Sequence, residues 1–232
     1  MNIAVIIPVL NEQEALPVLL HALMPFGFEE IIVVDGGSRD RTVEVAKRMF
    51  DSASDSHHRI ISGPCGRASQ MNAGAALATS DILVFLHADT QMPRNARHVV
   101  EQAMANQRCV GGRFDVRFPR DTGYAWMVSR LMSLRSRWSG ISTGDQTMFV
   151  RRSVFERMGG FADIPLMEDI EFSRRLKKLG TIAALRERVT TSFRRWEQHG
   201  PLRTIVRMWN IRLLYWLGRD PRRLQQYYDT VR

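Results

Sequence analysis

Continuous apolar runs alternate with helical periodicities through the first half of the chain. IAVIIPV (3–9), EIIVVD (30–35) and ILVFL (82–86) lack polar alternation, the pattern of strands buried on both faces. A weaker run near Arg59 to Ser62 reads as another short strand. Between the runs, EQEALPVLLHAL (12–23), RDRTVEVAKRMF (39–50) and GRASQMNAGAALAT (66–79) carry helical patterns, and NARHVVEQAMANQ (95–107) continues them. Strands spaced by helices predict an α/β fold with a mostly parallel central sheet, flanked by helices and joined by right-handed crossovers. Ligands of such sheets bind beyond the carboxyl ends of the strands.

The second half changes character. VGGRFDVRF (110–118) and QTMFVRR (146–152) read as strands, and GYAWMVSRLMSLRSRW (123–138) reads as a basic helix. SVFERMGGF (153–161) is a short helix closed by glycines, and EDIEFSRRLKKLG (168–180) an amphipathic helix with Gly180 as its expected C-cap. Near the end, Leu202, Val206, Trp209, Leu213 and Trp216 fall on one helix face, flanked by Arg203, Arg207 and Arg212. That face is expected to pack on the domain, with an anionic membrane or a second copy of the chain as the other surfaces considered. The organisation expected is one domain over 1–200 and a basic amphipathic helical extension packed on it over 201–232.

Three strand ends deliver polar groups to one edge of the sheet. They are Pro8-Val9-Leu10-Asn11-Glu12, Asp35-Gly36-Gly37-Ser38 and His87-Ala88-Asp89. Asp35 is placed to accept a hydrogen bond from a base, and Asp89 to hold a hard divalent ion bridging two phosphates. Both aspartates also read as helix N-caps. Glu168-Asp169 open a helix, so they are either a general base with its neighbour or acids favoured by the helix dipole. No G-x-G-x-x-G follows a strand and no G-x-x-x-x-G-K-[ST] occurs, which argues against a dinucleotide-dependent dehydrogenase and a P-loop enzyme.

Composition alters this picture only through charge. The chain has 232 residues, 44% hydrophobic and 25% charged, and no apolar run long enough for a membrane span. Its start reads as a first strand rather than a signal peptide. Cys65 and Cys109 have neither metal-like spacing nor the number of a disulfide framework, so the expected location is cytoplasmic, with the basic helix as the candidate peripheral membrane contact. The net charge of +9 is concentrated. Nine arginines face three acids between 191 and 232, and six face two between 113 and 137. Such clustering means either an anionic partner or a solvated basic surface. No nucleic-acid signature accompanies it, so nucleic acid is not an expected partner.

Taken in order, these segments resemble glycosyltransferase family 2, inverting enzymes of the GT-A fold. IIPVLNE is similar to the family's first-strand motif, VVDGGSRDRT to D-D-G-S-x-D-x-T, and GRASQMNAG to G-x-x-x-A-x-N-x-G. FLHADT resembles the D-x-D metal motif, and GGFADIPLMEDIEFSRRL the G-G-F…E-D segment that carries the catalytic base. His87 stands where the metal motif has its first Asp, and Gly36 replaces the second Asp of D-D-G-S. SFRRW keeps the last two residues of the processive members' Q-x-x-R-W. The HADT and DGGS variants, with RRWEQHGPLRT and LLYWLG, resemble the radical-SAM- or selenodomain-associated subgroup, also called arsenosugar-biosynthesis glycosyltransferases.

The resemblance implies a nucleotide-sugar donor, UDP being the commonest base, a hydroxyl acceptor and a divalent Mn²⁺ or Mg²⁺. It implies Asp169 as base with Glu168 beside it, and Arg195 stabilising the leaving diphosphate. Pro8, Val9, Asn11, Glu12, Asp35, Ser38, Arg67, Asn72, His87 and Ala88 are then expected around the nucleotide. Asp89 and His199 are the metal candidates, and Trp196, Gly144 and Asp145 the acceptor-side ones. The rival readings are a sugar-phosphate nucleotidyltransferase, against which the glycine-free acidic loop PVLNEQEA speaks, and a non-enzymatic basic module binding nucleic acid or membrane.

Overall fold

The computed structural model describes residues 1–53, 57–193 and 200–229. The apolar runs become β1 (Ile3–Val9), β2 (Glu30–Asp35), β3 (His58–Ser62) and β4 (Ile82–Phe85), paired in parallel in the order β3-β2-β1-β4. Successive side chains of a strand point to opposite faces. Ile3, Val5 and Ile7 therefore meet Leu16, Leu19 and Leu20 of α1 (Ala15–Leu23) on one side. Ala4 and Ile6 meet Ala68, Met71 and Ala75 of α3 (Arg67–Leu77) on the other. Helix α2 (Thr42–Ala53) adds Ala46 and Phe50 to the first of these layers.

Past β4 the sheet changes direction. Strand β7 (Met148–Arg151) runs antiparallel between β4 and β6 (Cys109–Arg117). Strand β8 (Thr181–Thr191) lies parallel to β6, and the two-residue β5 (Thr90–Gln91) closes the edge antiparallel to β8. The described sheet thus reads β3-β2-β1-β4-β7-β6-β8-β5, mostly parallel, with helices on both faces. The remaining helices are α4 (Ala96–Ala105), α5 (Gly123–Ser139), α6 (Arg152–Arg157), α7 (Glu168–Leu176), α8 (Pro201–Trp216) and α9 (Pro221–Asp229). None of the described helices is long and apolar enough to cross a membrane.

Two expectations are corrected. Helix α7 stops at Leu176 with Lys177 as its C-cap, so Gly180 does not cap it. Gly180 instead lets the chain enter β8 against β6, where a Cβ would lie 2.5 Å from Val110 and 2.8 Å from the Arg108 carbonyl. The apolar face of α8 does not turn inward either. Val206, Trp209, Leu213 and Trp216 are between 58% and 73% exposed, while Thr204 and Ile211 are buried. Ile211 clusters with Leu166, Met167 and Ile170 at the head of α7 and with Leu224 of α9. The side chain of Leu202 lies outside the described residues.

Glu30 anchors the α3–β4 connection from inside the sheet. Its buried carboxylate accepts the Ser80 N–H at 2.7 Å, the Ser80 hydroxyl at 2.6 Å and the Thr79 N–H at 2.9 Å, and pairs with Arg59 at 2.9 Å. Burial alone would raise its pKa, but the hydrogen bonds from Ser80 and Thr79 outweigh it and leave the group below the usual carboxylate value. A depressed folded-state pKa stabilises above the unfolded value, and that contribution disappears as pH falls through the folded one. Replacing Glu30 by Ala strands several donors and should cost about 3 kcal/mol at pH 7. Urea unfolding of both proteins should show the difference narrowing towards pH 3.

Candidate active site

The loops after β1 and β2 are stitched into one rim. The Asn11 N–H donates to Ser38 Oγ at 2.8 Å, the Arg39 N–H to Asn11 Oδ1 at 2.8 Å, and the Glu12 N–H to Thr42 Oγ1 at 2.8 Å. Asn11 takes a left-handed φ of 56°, a conformation Asn tolerates better than most residues. Asp35 is buried at the end of β2, where its carboxylate accepts the Gly37 and Ser38 N–H groups at 3.0 and 3.1 Å. At the head of α2 it is Asp40 that receives the Thr42 N–H and hydroxyl. Gln70 had not been anticipated. Its Nε2 donates to the Val9 and Val34 carbonyls, both at 2.8 Å, and ties α3 beneath the tips of β1 and β2. Pro8 is the penultimate residue of β1.

Two expected nucleotide-facing side chains serve the framework. Asn72 donates to the Phe161 carbonyl and accepts the Phe161 N–H, clamping α3 to the glycine turn after α6. Ala88 turns its methyl into the core. Asp89, by contrast, sits partly exposed just past β4 and precedes the short β5, so it caps no helix. His87 is folded back over Gly144, where a Cβ would lie 2.6 Å from the imidazole, and its Nδ1 is 3.7 Å from Asp145 Oδ1.

Gly144 begins a short turn before β7 that is fixed from inside. Gln146, fully buried, donates from Nε2 to Ser136 Oγ at 3.0 Å and accepts the Thr143 N–H. The Gly144 N–H in turn donates to Asp169 Oδ2 at 2.8 Å, while Asp169 Oδ1 takes the Ile170 N–H at 2.7 Å. Met167, just before α7, has φ 70°, a strained value for a non-glycine residue. Glu168 beside it is 5% exposed. Burial first, and the Asp169 charge second, push its pKa up, opposed by Arg67, whose Nη1 is 3.8 Å from Oε1.

These acids open into a cavity of about 490 Å³. Arg67, Gly144, Asp145, Glu168 and Asp169 line it, and α5 and α8 contribute Val128, Met132, Ile205 and Met208 together with Arg135 and Arg212. Burial lowers both guanidinium pKa values, Arg135 to about 10 with the Arg212 charge as its next cause, which leaves Arg135 charged at neutral pH.

Among the described residues no three His, Cys, Asp or Glu side chains form a ready metal cluster. Mg²⁺ and similar ions are commonly held by one or two carboxylates and completed by substrate phosphate. A single partly exposed carboxylate at a strand tip, as Asp89 is, fits that donor set. Arg195, Trp196 and His199 lie outside the described residues.

The profile of glycosyl transferase family 2 matches residues 4–161, which span all of the rim, His87, Asp89 and Gly144. The chain belongs to this family. Glu168 and Asp169 lie beyond the matched span. The chain is 28% identical over 203 residues to a probable glycosyltransferase of Bacillus subtilis, YdaM, covering 77% of this chain and 47% of the relative. It is 36% identical over 120 residues to an undecaprenyl-phosphate 4-deoxy-4-formamido-L-arabinose transferase of Pectobacterium carotovorum, covering 47% of this chain and 36% of the relative. The chain thus spans about half or less of these relatives. Among solved structures it resembles the mannosyltransferase PcManGT of Pyrobaculum calidifontis in complex with GDP-Man and Mn²⁺, with TM-score 0.66 and 22% identity over 82% of this chain and 56% of that one. It also resembles S. aureus TarS 1-349, with TM-score 0.65 and 14% identity over 84% and 61%. The fold is GT-A.

The raised pKa of Glu168 has a measurable sign. A carboxyl that holds its proton more tightly when folded loses stability as pH rises from the unfolded value through the folded one. The wild-type melting temperature should therefore carry a downward component above the ordinary carboxylate range. Glu168→Gln should lack that component and melt no lower than wild type at pH 7.5, as differential scanning calorimetry across pH 4 to 8 would show.

Proposed function

We propose that this chain transfers a sugar from a nucleoside diphosphate sugar, UDP being the first choice of base, to an acceptor hydroxyl by a single inverting displacement. The observation that carries the reading is the carboxylate of Asp169, oriented by the Gly144 N–H and facing the cavity. One oxygen is held by that backbone donor at 2.8 Å, which fixes the aim of the group without neutralising it. In this role Asp169 takes the proton of the attacking hydroxyl, a step that general-base assistance accelerates by about 10²–10⁴-fold. Glu168, raised in pKa by burial and by Asp169, keeps the second acid from adding full charge beside the first. Asp35 and the stitched rim of residues 9–12 and 36–42 would hold the base and ribose. Asp89 would hold Mn²⁺ or Mg²⁺, which supplies neutralisation of the charge on the departing diphosphate. Arg195 would assist the diphosphate, Trp196 the acceptor, and His199 the metal.

The extension is part of the working unit in this reading, because Arg212 of α8 lines the cavity and Ile211 packs at the head of α7. The resemblance to the arsenosugar-type subgroup concerns the acceptor alone and leaves these roles unchanged.

A thermal-shift series with UDP, GDP, dTDP and CDP, each with and without Mn²⁺, tests the donor side. A ligand at 100 times its dissociation constant stabilises by about 2.7 kcal/mol. One nucleotide should act only with metal, and Asp89→Ala should abolish its effect. Asp169→Asn should keep the shift but lose about 10²–10⁴-fold in slow donor hydrolysis. An Asp169→Asn protein that hydrolyses donor at the wild-type rate would contradict the assignment.

A further inference from the structure

Helix α5 is built inside out. Ser129, Ser133 and Ser136 are buried, while Tyr124, Met127, Leu131, Leu134 and Trp138 are between 45% and 94% exposed. The exposed side chains recur at steps of three and four residues, which makes one stripe along the helix. Hydrogen bonds fix this orientation. Ser129 Oγ donates to Asp121 at 2.8 Å, Ser133 Oγ accepts the Val116 N–H at 3.3 Å, and Ser136 Oγ accepts the Gln146 amide at 3.0 Å. Helix α8 repeats the arrangement, with Val206, Trp209, Leu213 and Trp216 outward at the same steps and Thr204 buried. A surface helix ordinarily turns its apolar stripe to the core, and here two helices turn theirs away from it.

The two stripes adjoin, because Leu131 and Trp138 of α5 and Trp209 of α8 line the same cavity. An exposed apolar patch of this extent marks an interaction surface. Its composition and charge say which kind. Trp126, Trp138, Trp209 and Trp216 all stand on these helices and all are exposed, and tryptophan is favoured where an apolar layer meets a polar headgroup layer. Neither helix contains an Asp or Glu. Exposed Arg130 and Arg203 stand on them, and exposed Arg219, Arg222 and Arg223 follow α8 against the single acid Asp220. A second copy of the chain would set this face against itself, arginines towards arginines, with no acid from either helix between them. An anionic lipid surface takes up the apolar stripes and the charge together.

We propose that the outward faces of α5 and α8 form a docking surface for an anionic lipid bilayer. The apolar stripes enter the boundary between headgroups and acyl chains, and the arginines lie among the headgroups. Contact is peripheral, since none of the described helices is long and apolar enough to cross a membrane. None of the stripe side chains has a role in the proposed transfer, so docking and transfer can fail separately.

Co-sedimentation of the full chain with vesicles tests this. Phosphatidylcholine vesicles containing phosphatidylglycerol should bind it about tenfold or more tighter than phosphatidylcholine alone. Their addition should also shift the tryptophan emission to the blue. Leu134→Ser combined with Trp216→Ser keeps every charge and should weaken binding to the mixed vesicles about tenfold or more. Arg203→Glu combined with Arg219→Glu should remove the preference for phosphatidylglycerol. Both variants should melt as wild type does and keep its response to UDP with Mn²⁺. A wild-type protein left in the supernatant overturns the proposal. Equal binding of wild type and the serine variant also overturns it, because charge alone would then account for the binding. So does a dimer in sedimentation equilibrium that the serine variant turns into monomers, which would assign the face to a second copy. A wild-type protein that binds the mixed vesicles as described but responds to no nucleotide overturns the transferase reading and leaves the docking surface standing.

Discussion

The site depends on one close approach, that of Gly144 to its two neighbours. Its missing side chain leaves room for the His87 imidazole at the tip of β4, and its N–H holds the carboxylate of Asp169 at the head of α7. The first neighbour belongs to the parallel half of the sheet and the second to the half built around β6, β7 and β8. A side chain at this position would move the imidazole, which is largely buried and has little space to yield. Gly144, expected on the acceptor side, lines the cavity. It acts as a joint, and Gln146 below it keeps that joint from drifting by engaging α5.

The parallel half was legible because burial on both faces removes the polar alternation from a strand, and β1, β2 and β4 show this plainly. Strand β8 was not legible for the converse reason. In TIAALRERVTT only Val189 and Thr191 are buried, so the segment has neither an apolar run nor a clean period of two. The antiparallel direction of β7 is invisible to an apolar pattern, which records burial and not orientation. Gly180 was misread because a glycine after a helix usually caps it, whereas here the tight entry to β8 demands it.

Charge misled in a more instructive way. The basic segment from 113 to 137 looks like a surface for an anionic partner, but much of it is internal. Arg113 is 1% exposed and pairs with Asp115, and Arg137 joins Asp115 to the Ala184 and Leu185 carbonyls, knitting α5 to β6 and β8. Arg135 faces the cavity. Sequence counts charges but does not say where a guanidinium ends, because a long stem can carry it inward as readily as outward. The converse error occurs on α8, where the five-residue apolar stripe predicts burial and the helix turns its described members outward.

These placements give the cavity an adjustable charge. Arg67, Arg135 and Arg212 stand against Asp145, Asp169 and Glu168, and burial beside Asp169 raises the pKa of Glu168. With Glu168 ionised the positive and negative groups balance, and with Glu168 protonated the arginines are in excess. An anion entering the cavity therefore favours the protonated form of Glu168, and by linkage the proton favours the anion. The proton on Glu168 also relieves the repulsion between the two adjacent carboxyl groups. Burial of Glu168 beside Asp169 therefore ties the proton on one acid to the charge balance of the whole cavity.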